Sequence, residues 1–178
     1  MIARNSITPS QGAQWRLTTT IDLADIQKIA NVIHPDLSET PEIFAEKLRL
    51  FPEGCFVLVE NGAVLGYAFV HPWRLNDVPK LDASLLALPH NPECILIHDV
   101  AVLPEGRGKG ASESLVHRTL RLAKKHNVRV LALVSVYGSH LHWLRLGFEL
   151  AAVEDLASKL ASYGETARYM VRRLGRRA

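Results

Sequence analysis

The sequence predicts an α/β protein whose mixed central sheet of about six to seven strands is flanked by helices. Three observations predict it. From Ile95 to Val136, an apolar strand, a Gly-rich turn, an amphipathic helix and a second, nearly continuous apolar run follow one another, the order of a βαβ unit with parallel strands. Upstream, two strand-like runs are separated by Asn61-Gly62, a hairpin signal because both residues tolerate positive φ. At 178 residues, 48% of them hydrophobic and 22% charged, the chain is long enough for one sizeable core and short for two. A single domain over residues 14–178 is therefore expected, behind a polar, flexible leader over residues 1–13.

In chain order, a first strand is expected near Trp15–Thr20. Asp22 can cap a helix reaching about Ile33, and Thr40-Pro41-Glu42 signals the start of a second helix that ends before Pro52, with the His34-Pro35 step breaking the chain between them. Cys55–Glu60 and Val64–His71 form the hairpin strands. Residues 72–93 carry Pro72, Pro79, Pro89 and Pro92 without a clean period and read as an irregular excursion, and loops of that length are often functional. Ile95–Val102 is the next strand. Ala111, Leu115, Val116, Leu122 and Ala123 recur at helical spacing behind the Gly-rich turn, and Val128–Val136 is the buried parallel strand. A short helix at about Leu141–Leu146, a strand after Gly147 and a last strand near Ala167–Leu174 complete the order.

Composition excludes several classes. The net charge of +3 is mild, and the clearest basic cluster, Arg168–Arg177, sits at the C-terminal end, so a nucleic-acid partner is not indicated. No segment approaches the ~20 apolar residues that span a bilayer, and the first residues lack the apolar core of a signal peptide. Cys55 and Cys94 each lie in an apolar stretch and read as reduced core thiols, which suits a cytoplasmic protein without a membrane partner. His140 and His142 have no partners at metal spacing, so no metal is expected.

The turn Arg107-Gly108-Lys109-Gly110 points to chemistry. A helix start leaves backbone N–H groups unpaired and places partial positive charge there, and glycines let a phosphate approach the backbone closely. Arg107 and Lys109 add charge at the same spot. Spacing excludes two common loops: Gly106, Gly108 and Gly110 alternate and do not give G-x-G-x-x-G, and Lys109 is followed by glycine where a Walker loop has Ser or Thr.

The stretch His98–Val116, with Arg107, Gly108, Lys109, Gly110, Ala111 and Ser112 at its centre, resembles the central motif of the GNAT N-acetyltransferases. Gly138–Leu150, which ends in Leu146-Gly147-Phe148, resembles a second segment of that family. The resemblance implies a GNAT-type fold with acetyl-CoA as cosubstrate and a primary amine, on a small molecule or a protein, as acceptor. It implies that the diphosphate sits on residues 107–112, that pantetheine runs between splayed strands against the backbone of Val100, Ala101 and Val102, and that Ser139 and Trp143 border the cofactor. The family's thiolate-protonating Tyr is matched here by Trp143, which keeps a catalytically inactive acyl-CoA-sensing module open as the alternative, and a homodimer also stays open. His71 and Trp73 fall on the strand that borders the acceptor groove in that family.

Amine acetylation needs a neutral nitrogen, and deprotonating a lysine-like amine at pH 7 costs roughly 4–5 kcal/mol. Asp99, as base or amine anchor, and then His98 are the candidates for that work, with Tyr137 as a candidate thiolate acid. In a regular strand His98 and Asp99 point to opposite faces, and only a bulge could re-aim one of them.

Overall fold

The computed structural model describes residues 12–175. All but two residues of the expected leader lie outside that range. Strands β1 (Gln14–Leu17), β2 (Cys55–Glu60), β3 (Ala63–Trp73), β4 (Cys94–Val102), β5 (Val130–Ser135), β6 (Glu149–Leu150) and β7 (Arg168–Arg173) form one sheet in the order β1-β2-β3-β4-β5-β7-β6. Only β4 and β5 are parallel, and helix α3 (Ala111–Lys125) connects them, as the βαβ pattern predicts. Helices α1 (Leu23–Ile33), α2 (Pro41–Leu50), α4 (His140–Arg145) and α5 (Ala157–Ser162) complete the structure.

The apolar periods decide the layers. Leu115, Val116, Leu122 and Ala123 of α3 pack on Phe56, Leu58, Ala68, Val70, Ile95, Ile97, Leu131 and Leu133, which share one sheet face by alternation. On the other face Ile26, Ile29 and Ala30 of α1 and Phe44 of α2 cover Val57, Tyr67, Phe69 and Ala101. Leu156 and Tyr163 cover Leu96, Ala132 and Tyr169 farther along that face.

Some elements differ from expectation. The first strand stops at Leu17, because a short 3-10 turn over Thr20–Asp22 follows it. Asp22 does not cap α1 with its side chain. Its carboxylate instead takes the Thr19 amide and hydroxyl, each at 2.8 Å, and both Arg16 Nη groups at 2.7 and 2.8 Å. Helix α5 was not expected, although Leu156, Leu160 and Tyr163 sit at helical spacing and Leu156 and Tyr163 are buried. The excursion expected over 72–93 is shorter by two residues: Pro72 and Trp73 extend β3 opposite Ile95 and Cys94, and residues 74–93 form neither helix nor strand. That loop is clamped to α2, where Glu46 accepts the Leu85 and Leu86 amides and Asp82 accepts the Thr40 amide at 2.9 Å.

Candidate active site

Two breaks in the sheet ladder make the site. The parallel β4–β5 pairing covers only Ile95↔Leu131, Leu96↔Ala132 and Ile97↔Leu133, after which the strands part, β4 staying with β3 and β5 with β7. A bulge lies at the same level: Phe69 faces Asp99 and Val70 faces Ile97, which leaves His98 as the extra residue. One inserted residue shifts the alternation by one. Val100 and Val102 consequently pack toward α3 with Ile95 and Ile97, while Leu96, His98, Asp99 and Ala101 share the α1/α2 face. The bulge therefore re-aims Asp99 to the side that His98 already occupies, and both reach the cleft.

The cleft that opens between the parted strands has a volume of about 730 Å³. One end is the α3 N-terminus, where Gly108, Gly110, Ala111 and Ser112 form the wall and Arg107 returns its Nε–H to the Val102 carbonyl at 3.1 Å. Gly108 (φ 70°) and Gly110 (φ 72°) lie in the left-handed region, and a Cβ at either would meet nothing within 4 Å, so the backbone there is bare. The middle is apolar, with Val100, Val102, Leu133, Val134, Val136 and Trp143. Trp143 is 7% exposed and packs edge-on against Phe148, while Ser139 lines the wall and its carbonyl accepts the His142 and Trp143 amides.

The far end is polar. Asp99 is held on both carboxylate oxygens: the Tyr67 hydroxyl donates to Oδ2 at 2.8 Å, and His34 Nε2 lies 3.3 Å from Oδ1. His34 Nε2 also lies 3.1 Å from the Val100 carbonyl, so facing two acceptors it carries the proton, and its Nδ1 is buried without a partner. The His34 ring stacks on Tyr137, centroids 5.6 Å apart, which bridges β4 to the end of β5. Burial alone would raise the Asp99 carboxyl, but His34, Lys47 and Tyr67 outweigh it and hold it below the ordinary range. Burial pulls His34 down, yet Asp99 and the Val100 carbonyl leave it raised on balance. Tyr137, half exposed and left-handed at φ 53°, keeps its proton above the ordinary phenol range because of partial burial and the charges of Asp36 and Asp99.

Behind this end lies a buried chain of titratable groups. Lys47 of α2 is 2% exposed, paired with Glu39, and its Nζ lies 3.4 Å from His98 Nε2. His71 Nδ1 donates to the Pro72 carbonyl at 3.2 Å, so its Nε2 accepts, and the His98 Nδ1 at 2.8 Å must donate to it. That order leaves His98 Nε2 as a lone pair toward Lys47. Burial drives His71 down to about 3 and His98 well below its usual value, with Lys47 adding to both, so both rings are neutral. Glu39 shows the reverse. Burial pushes its carboxyl up, the Lys47 charge restrains the rise, and Asp99 and Asp82 add to it.

Several expected residues stand elsewhere. His71 and Trp73 do not line the cleft: His71 is buried behind His98, and Trp73, 8% exposed, packs edge-on against His71. Lys109 lies outside the lining too, because its ammonium is paired with Glu60 at 2.7 Å. Ala101 is buried against Tyr67 on the α1/α2 face, and the Val100 carbonyl already takes one donor, from His34. Sequence reasoning missed His34, Glu39, Lys47 and Tyr67. Lys47 had a signal, since Ile43, Phe44 and Lys47 form the buried stripe of α2 and a lysine in such a stripe is seldom buried without a partner.

Cys55 and Cys94 are free and buried, and burial pushes both thiols up to about 12. Among the described residues, no group of three or more His, Cys, Asp or Glu side chains is placed to hold a metal ion, and no helix is long and apolar enough to cross a membrane.

No curated protein matches the sequence. Among solved structures the chain is similar to Ard1 from Thermoplasma volcanium, with a TM-score of 0.69 and 18% identity over 93% of this chain and 100% of that one. It is similar to the GNAT-like decarboxylase GphF in complex with isobutyryl-CoA, with a TM-score of 0.71 and 14% identity over 91% of this chain and 100% of that one. It is also similar to Arabidopsis thaliana Naa50 in complex with the bisubstrate analogue CoA-Ac-MVNAL, with a TM-score of 0.62 and 14% identity over 90% of this chain and 97% of that one. At these identities the likeness establishes the fold. The family description "Acetyltransferase (GNAT) family" matches residues 20–148, which run from before α1 through the Gly-rich turn to Phe148, and the chain belongs to that family.

Proposed function

We propose that this protein is an N-acetyltransferase that moves an acetyl group directly from acetyl-CoA to a primary amine of a small molecule or a protein. The observation that carries this reading is the single cleft that joins a bare helix N-terminus, two unpaired strand edges and a carboxylate-bearing end. Each part fits one part of acetyl-CoA and its acceptor. The amides at the start of α3 suit a diphosphate, as the partial charge of a helix start favours anions. The parted edges of β4 and β5 offer backbone groups to pantetheine amides, and Val100, Val134, Val136 and Trp143 offer apolar contact.

Lys47 offsets the charge of Glu39, and the Asp99 carboxylate gives the far end the negative charge that favours an ammonium-bearing acceptor over an anionic one. Direct transfer follows from the cysteines: the thiolate is the nucleophilic form, and thiols near 12 in the core supply almost none at neutral pH. Tyr137 lines the cleft and its hydroxyl holds its proton above the ordinary phenol range, and we assign it the return of a proton to the CoA thiolate, a role that the indole of Trp143 cannot fill. Unpaired thiols also suit a cytoplasmic location.

The decarboxylase among the neighbours shows that this fold hosts other acyl-CoA chemistry, so the test must read products. Acetyl-CoA is incubated with 2-phenylethylamine, spermidine and the peptide Met-Val-Asn-Ala-Leu with a free amino terminus, followed by mass spectrometry. A product heavier by one acetyl group, with CoA released in equal amount, is the expected result. CoA binding with no acetylated product on any amine would support the sensing module instead.

A further inference from the structure

The sequence motif directs attention to β4 for the group that deprotonates the acceptor, but the hydrogen-bond inventory of the cleft does not. Both Asp99 oxygens are engaged, by His34 and Tyr67. His98 is 3% exposed, spends its Nδ1 proton on His71 and turns its Nε2 lone pair to the Lys47 ammonium. A lone pair facing a fixed cation is a poor proton acceptor. Glu39, from the segment between α1 and α2, differs from both. Its Oε2 is paired with Lys47, while Oε1 is buried and makes no hydrogen bond, the His98 Nε2 lone pair lying 3.6 Å from it, on a residue that lines the cleft and is 3% exposed overall.

We propose that Glu39 is the catalytic base of the reaction, taking the acceptor's proton on Oε1, and that Lys47, backed by His98 and His71, is the positioning residue that fixes the carboxylate in place. The inference rests on the acetyl-transfer reading above. In this step one N–H bond of the acceptor ammonium breaks, and its proton goes to Glu39 Oε1. The freed nitrogen lone pair bonds to the thioester carbonyl carbon, the C–S bond breaks with its electron pair on sulfur, and the second proton lost by nitrogen is balanced by the one the thiolate gains. Glu39 then releases its proton, so one acetyl group moves and one proton leaves per turnover.

The burial of Glu39 serves this role. A base works best when its proton affinity lies near the operating pH, and burial together with Asp99 and Asp82 pushes the Glu39 carboxyl upward, while Lys47 limits the rise. The charged and titratable groups that act on it are Lys47 from α2, His98 and Asp99 from β4, Asp82 from the 74–93 loop, His34 at the end of α1, Tyr67 from β3 and Tyr163 at the end of α5. An unpaired buried acceptor beside a substrate cleft is costly unless a ligand supplies the donor, and an ammonium brings three.

The test uses the full chain, acetyl-CoA and whichever of 2-phenylethylamine, spermidine and Met-Val-Asn-Ala-Leu is acetylated fastest. Glu39→Gln is expected to lower kcat about 10²- to 10⁴-fold while acetyl-CoA affinity by calorimetry stays within about twofold. The deficit should shrink as pH approaches the amine's own pKa, near 10.4 for a lysine-like amine, because the amine then needs no base. Glu39→Gln strands the Lys47 charge, so the double variant Glu39→Gln/Lys47→Met, which removes both charges, is measured beside it. Should the double variant fold, bind acetyl-CoA and acetylate the probe within about fivefold of wild type at pH 7, the role of Glu39 is overturned. Wild type that binds acetyl-CoA and acetylates none of the three amines overturns the transfer reading, and this inference with it.

Discussion

Replacing Lys47 with Met is expected to lower the free energy of unfolding by about 3–5 kcal/mol at neutral pH, the typical cost of leaving one member of a buried ion pair without its partner. The side chain is 2% exposed and does three things: it pairs with Glu39, donates toward His98 Nε2 and lies over the Phe44 and Phe69 rings at 5.9 and 5.8 Å. Met keeps most of the packing, so the loss is chiefly electrostatic. The pH dependence has a definite sign. A carboxyl whose proton affinity is higher folded than unfolded makes the native state the stronger proton binder, so its stability falls as pH rises from the unfolded value toward the native one. Glu39 is raised already, and without Lys47 the charge that restrains it is gone. Urea unfolding should therefore show a larger deficit at pH 8 than at pH 5, and Glu39→Gln/Lys47→Met should recover part of it. A deficit independent of pH, or unrelieved in the double variant, would contradict the pairing.

Ser112→Asp is expected to weaken acetyl-CoA binding about ten- to hundredfold without weakening the fold. Ser112 stands in the first turn of α3 and lines the cleft beside Gly108, Gly110 and Ala111. An acidic side chain in a first helical turn interacts favourably with the helix dipole, so the unliganded variant should unfold at the same urea concentration as wild type or a higher one. Against a diphosphate seated on the same amides the new charge is repulsive, at about 1–3 kcal/mol for partly solvated charges a few ångströms apart. Calorimetric titration with CoA, beside urea unfolding of the free protein, separates the two effects. Unchanged CoA affinity would mean that the diphosphate does not use this helix start.

The fold was legible because its signals are local and periodic. The hairpin at Asn61-Gly62, the stripe of α3 and the apolar run of β5 each show in the order of residues, and each lies where that order puts it. The Gly-rich turn ahead of α3 was legible for the same reason. The far end of the cleft was not, because separate segments build it: His34 and Glu39 lie in the α1–α2 connection, Lys47 interrupts an apolar stripe of α2, Tyr67 comes from β3, and Asp99 joins them only through a bulge. Strict alternation would separate His98 from Asp99, and no local pattern announces the one inserted residue that places them on one face. His71 shows the converse. Its place on β3 suggested the acceptor groove, but in the structure its ring is spent on His98.

A crystal structure with acetyl-CoA bound would decide the placement on which these expectations depend. The diphosphate should lie on the amides from Gly108 to Ser112, the pantetheine between Val100–Val102 and Val134–Val136, and the thioester should point toward Asp99 and the buried, unpaired Oε1 of Glu39. Acetyl-CoA seated elsewhere, for example in the smaller depression of about 330 Å³ bordered by His117, Arg145 and Arg172, would contradict the assignment of the cleft and every role drawn from it.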